Sequence, residues 1–161
     1  MFSVTFDDGG AAVGHVQNLP AAIRAALAAK AADLAARLQA HVVQDKLSGQ
    51  VLQVRTGALR NSIGAESSLD GDQVRIRVFS SGDIKYAAIQ EYGGRTPAHE
   101  ILPNKAKALA FVTGGGLVFA KVVHHPGSTI PERSYLRSSL ADMATDIATE
   151  LKSAVTDALQ S

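Results

Sequence analysis

Two long apolar stripes at helical spacing bracket this chain and limit it to folds in which two helices cover a small remainder. In the first, Leu19, Ile23, Leu27, Leu34, Leu38 and Val42 recur on one face, with alanines between them that let another backbone approach closely. Asn18 is placed to cap that helix, and Pro20 fits its first turn, where the missing N–H costs little. A helix from Leu19 to about Gln44 is about 39 Å long at ~1.5 Å per residue. That exceeds what a small core needs, so one end is expected to project or to cross a neighbour. The second stripe follows Pro131 and reads Leu136, Leu140, Met143, Ile147, Leu151, Val155 and Leu159.

Between and before the stripes the period changes to two. Phe2 to Phe6 alternates apolar and polar, with Phe2, Val4 and Phe6 on one face, and Asp7-Asp8-Gly9-Gly10 breaks the strand. Ser48-Gly49-Gln50 ends the first helical region, and Thr56 is a cap for a short helix over Gly57 to Ile63. Gly71-Asp72 turns the chain into Gln73–Phe79, where Val74, Ile76 and Val78 face inward and Arg75 and Arg77 outward. Tyr86 to Tyr92 suits a short helix stopped by Gly93-Gly94. Ala108–Thr113 and Leu117–Val123 form a hairpin around Gly114-Gly115-Gly116. The sum is an α+β fold, a small antiparallel sheet with a hairpin held between long N- and C-terminal helices. A 161-residue chain buries about 70% of its unfolded surface in one core, so a single domain spans 1–161. Its parts are a strand and long helix (1–45), a sheet and loop core (46–130) and a C-terminal helix (131–161).

Composition removes several function classes. A net charge of +1 is too small for a protein whose main task is gripping a nucleic-acid backbone. Without cysteine there is neither a disulfide framework nor a thiolate site, which fits synthesis in a reducing cytoplasm. The N-terminus lacks a signal-peptide pattern, and apolar runs fall short of a membrane span, so a soluble intracellular product is expected.

Catalytic signals are weak. His124 and His125 are adjacent, as are His99 and Glu100, and neighbours on a strand point to opposite faces and cannot readily chelate one ion. Gly114-Gly115-Gly116 lacks the Lys-Ser/Thr of a phosphate loop, and Ser62, Ser134, Ser138 and Ser139 lie near no recognisable elbow. Glu91 and Glu100 have no spacing that marks an acid–base pair. No catalytic, cofactor-binding or metal-ligating residue is assigned, and an enzyme is not expected. Arg75 and Arg77 are candidates to face DNA or a lumen, although a solvated sheet face explains them equally well.

Four segments occur in a fixed order: Val54-Arg55-Thr56-Gly57-Ala58-Leu59-Arg60-Asn61-Ser62-Ile63, then Tyr86-Ala87-Ala88-Ile89-Gln90-Glu91-Tyr92-Gly93, then Ile101-Leu102-Pro103 before Lys107–Phe111, then Pro131-Glu132-Arg133-Ser134-Tyr135-Leu136. Together, over about Arg55 to Leu140, they resemble the tailed-phage neck and tail-component family typified by the HK97 gp10-like proteins, with its tail-completion and minor tail Z-like relatives. Tyr92 stands where phenylalanine is frequent, and Ser134-Tyr135-Leu136 where Pro-Phe-Leu is usual. The resemblance implies a virion protein of the neck, made in the host cytoplasm, that joins head to tail or completes the tail. It implies a homomeric ring, commonly sixfold, between connector or stopper proteins and the tail terminator or tail tube, with genomic DNA passing through the lumen. It implies no cofactor and no membrane. Tyr86, Glu91, Tyr92, Arg133 and Tyr135 are the candidates for positioning loops and meeting neighbouring subunits. The alternative is a DNA-binding morphogenesis or regulatory factor that places Arg55, Arg60, Arg75 and Arg77 on phosphates.

Overall fold

The computed structural model describes residues 3–6, 11–15, 20–70, 73–82 and 84–160. In chain order the elements begin with β1 (Ser3–Phe6), β2 (Ala11–His15), α1 (Ala21–His41), the single turn α2 (Ala58–Asn61), β3 (Ile63–Asp70), β4 (Gln73–Ser80) and α3 (Ala87–Tyr92). There follow β5 (Gly94–Arg95), β6 (His99–Ile101), β7 (Leu109–Thr113), β8 (Gly116–Ala120), β9 (Val123–His125), β10 (Thr129–Ile130) and α4 (Leu136–Gln160). The α+β class expected from the sequence is the observed one.

Pro20 has φ −54° and ψ 150°, outside helical geometry, and its carbonyl accepts the first helical bond from the Arg24 N–H at 3.1 Å. Asn18, the expected cap, lies outside the described residues. From Ile23 through Leu27, Ala31, Leu34, Ala35 and Leu38 one face of α1 is buried. At Val42–Lys46 the helix widens into one π turn, and the Leu47 N–H reaches back five residues to the Val42 carbonyl at 3.0 Å. The extra residue lets both Val42 and Leu47 face the core, where an ordinary four-residue step would have turned Lys46 inward. Of the two expectations for this long helix, a projecting end or a crossing with a neighbour, the first does not hold for Ile23 to Val42, whose apolar face is covered within the chain.

What covers it are two layers. A four-stranded antiparallel sheet of order β1-β2-β4-β3 lies on one side, with Val74, Ile76 and Val78 of β4 buried and Arg75 and Arg77 exposed, as the alternation predicts. α4 lies on the other, burying Leu140, Ile147 and Leu151. α1 is therefore the middle layer, and the sheet is not held between two helices as expected. The reason is its two-sided surface: Lys30 and Arg37 reach Glu150 on α4, while Gln39, about half a turn round the helix from Lys30, donates its side-chain N–H to the Ile63 carbonyl of β3 at 2.6 Å. Polar contacts line the helix pair. Lys30 and Arg37 both reach Glu150, and His41 and Lys46 reach Asp142 at 3.1 and 2.7 Å.

Two other expectations change. The helix foreseen over Gly57–Ile63 is only the turn Ala58–Asn61, and Ile63 opens β3 instead. The strand escaped notice because its inward positions include Ala65 and Ser67, which carry little apolar signal. β1 forms where foreseen, but Phe2 and the Asp7–Gly10 break lie outside the described residues, as do Gly71 and Asp72. Asp70 pairs with Gln73, so that connection is two residues long.

Candidate functional site

α3 and α4 are joined by one carboxylate. Glu91, only 2% exposed, accepts the backbone N–H of Tyr135 at 2.7 Å, of Leu136 at 2.9 Å and of Arg137 at 3.0 Å. It also accepts the Ser134 hydroxyl at 2.8 Å and the Arg137 Nε–H at 3.2 Å. The first N–H groups of a helix have no partner within it and carry partial positive charge, so an anion there is favoured twice. Burial opposes ionisation of Glu91, but the bonds from Leu136, Arg137, Tyr135 and Ser134 outweigh it and hold the carboxyl below its usual range. The same carboxylate, together with burial, pushes the Tyr135 phenol up to about 12, burial being the larger cause and Tyr92 and Tyr86 adding to it.

Arg137 closes the junction. It bonds the Glu91 carbonyl and the Glu132 carboxylate, and its guanidinium lies 4.7 Å from the centre of the Tyr92 ring. The Arg133 N–H donates to the Gln90 carbonyl at 2.8 Å, and the Tyr135 hydroxyl lies 3.5 Å from that of Ala87. Gly93, at φ +68°, passes so close that a Cβ would sit 2.8 Å from the Glu132 nitrogen.

The five interface candidates therefore separate. Glu91 and Tyr135 are buried within the chain and position the α3–α4 junction, whereas Tyr86, Tyr92 and Arg133 are exposed. Arg137, which binds two of these residues, has no distinguishing mark in the sequence. Its place four residues beyond Arg133, inside the first turn of α4, is the signal that could have found it.

Between Gly93 and Pro131 the chain leaves the body as a long arm. It is built of three successive antiparallel ladders: β5 on β10, β6 on β9 and β7 on β8. At its base Thr96 and Ser128 exchange bonds, and Gly127, at φ +86°, passes where a Cβ would collide with the Thr96 carbonyl oxygen. His99 stacks on His125 at 5.0 Å, and His124 faces Glu100 at 3.3 Å. Among the described residues, no group of three or more His, Asp or Glu side chains could hold a metal ion.

At the tip, Thr113 pairs with Gly116, so the turn is Gly114-Gly115 and Gly116 opens the second strand. The register puts Phe111 and Val118 on one face and Val112, Leu117 and Phe119 on the other. Both faces of this hairpin are apolar, and its outer edges are unpaired. Twelve large hydrophobic side chains stand exposed among the described residues; Ile101, Leu102, Phe111, Val112, Leu117, Val118, Phe119 and Val122, eight of them, are on the arm. Val112 is 81% exposed.

The arginines do not form one track. Arg77 pairs with Glu66 at 3.1 Å and lies over Phe79, and Arg75 bonds Gln73, all at the sheet's outer face. Arg55 and Arg60 instead line a cleft of about 900 Å³ with Tyr86, Gln90 and Arg133. Among the described residues no helix is long and apolar enough to cross a membrane. No protein-family model, curated protein or solved structure matches the chain.

Proposed function

We propose that this chain is a structural subunit of the tailed-phage neck, forming a homomeric ring, sixfold by the resemblance, that joins the head connector to the tail around the DNA channel. The observation that carries this reading is the arm. A two-stranded hairpin alone is marginally stable in water, and one with apolar residues on both faces and two open edges gains most when neighbours cover it. A ring supplies such neighbours on both sides of every subunit. The ordered segments that resemble those of the neck family suggest the place of assembly, and three of them lie on the arm or beside its base: Tyr86–Gly93, Ile101–Phe111 and Pro131–Leu136. The buried Glu91 junction serves this role by fixing where the arm leaves and returns.

Particles assembled without the protein provide the test. Filled heads and separate tails that fail to join, or tails that stay incomplete, are expected. Infectious particles in normal yield refute the proposal.

A further inference from the structure

The cleft beside α2 carries a chemistry independent of the arm. One wall is the Leu47–Arg60 segment, and the other is Tyr86 and Gln90 with Arg133. Its lining holds three arginines and, among the described residues, no carboxylate. Among the described residues, none of these guanidinium groups has an ion-pair or side-chain hydrogen-bond partner. Three of the six other arginines meet carboxylates, Arg37 with Glu150, Arg77 with Glu66 and Arg137 with Glu132, and what sets the cleft apart is that three open guanidinium groups share one concave wall. Two further features lie in the same cleft. Val54 and Tyr86 stand 48% and 43% exposed, offering apolar contact between the charges. Gln90 keeps its Oε1 out of water with no hydrogen-bond partner, which is unusual for a buried acceptor.

We infer that this cleft receives an extended acidic segment of a different partner protein. Carboxylates suit the guanidinium forks, which bind them through paired charge-assisted bonds. An orphaned acceptor calls for a donor, and a peptide brings backbone N–H groups alongside its carboxylates. The backbone of DNA offers acceptors only, and a net charge of +1 supplies little of the field that phosphate tracking needs. A second copy of this chain offers few free carboxylates on its helix pair, because Asp33, Asp142 and Glu150 already meet Lys30, Lys46 and Arg37. The segment lies along the cleft with acidic side chains toward Arg55, Arg60 and Arg133, and turning the Gln90 amide brings its oxygen to a peptide N–H.

The test uses the full chain and three dye-labelled probes followed by fluorescence anisotropy: a short peptide of alternating Glu and Leu, its counterpart with Gln for Glu, and a mixed-sequence DNA duplex. The Glu peptide is expected to bind saturably, and the Gln counterpart at least ~10-fold more weakly. R55Q with R60Q should weaken the Glu peptide by roughly ten-fold, while R75Q on the sheet leaves it unchanged. Both cleft arginines are exposed, so the double variant should keep its circular dichroism and melting temperature. In the unaltered protein, the side-chain amide resonances of Gln90 should shift as the peptide saturates, a readout that needs no variant. Absence of Glu-peptide binding, binding that the double substitution leaves intact, or tighter binding of the duplex through the same arginines overturns the inference. Because the probes never meet a neck or a second subunit, the result is separable from the fate of particles lacking the protein.

Discussion

Glu91 shows how much one side chain can settle. Its carboxylate, carried by the last turn of α3, caps the start of α4 and so ties the two helices together. Glu91→Ala strands three helix N–H groups and the Arg137 guanidinium, so it should cost about 2–4 kcal/mol in urea-induced unfolding at neutral pH. Glu91→Gln keeps the shape but loses the charge and should cost less. The folded carboxyl titrates lower than in the unfolded chain, so ionised Glu91 contributes stability above the ordinary glutamate range. That contribution fades as pH falls through the lowered folded value. Glu91→Gln should flatten the acid limb of stability against pH. An identical acid limb in the variant would show that the capping charge contributes nothing. Asp142 and Glu150, held low by their bonds to Lys46 and Arg37, act in the same direction from the surface, so the limb should flatten without disappearing.

At the scale of elements, the residues that read correctly from sequence are those whose surroundings are local. The stripe from Leu136 to Val155 is core-facing and the alternation at Val74, Ile76 and Val78 is inward because periodicity alone dictates burial there. Leu159, the last member of the stripe, is 68% exposed, and Ala158 packs against the core in its place. β3 was hidden by Ala65 and Ser67, whose strand state depends on pairing with β4 rather than on their own preference. The Leu109–Val112 and Leu117–Ala120 runs were legible as a hairpin. Unbroken apolar strands ordinarily indicate burial on both faces, and here the described residues leave both faces largely exposed. The cleft was the least legible, because Arg55, Arg60 and Arg133 come from segments that only the fold brings together. Substituting Val112 and Phe119 by Asp on the tip removes no contact with the core. Stability should stay within about 0.5 kcal/mol while self-association, followed by sedimentation, falls. A large loss of melting temperature in the dilute protein would instead mean that the tip packs on its own body.

For the whole molecule, the division of labour is between a three-layer body and an inserted arm. The body's core, from Ile23 on α1 to Leu151 on α4, includes no residue of the arm. Replacing residues 99–125 by a short glycine-containing turn should therefore leave a folded, cooperatively unfolding body, with its circular dichroism less the lost strands. Failure of that variant to fold would show that the arm is needed for the core to form. Because Gly94 and Ile130 pair at the root, the two ends of the insertion are fixed in space whatever lies between them. Reach is thereby uncoupled from folding. Two residues added to each of β7 and β8 would advance the tip by about 6.6 Å and preserve which face is which. One residue added to each would advance it by about 3.3 Å and exchange the faces bearing Phe111 and Phe119. In the proposed ring the arm would act as a calliper jaw: its length can be stepped and its grip inverted, and the spacing at which assembly fails would measure the gap it spans.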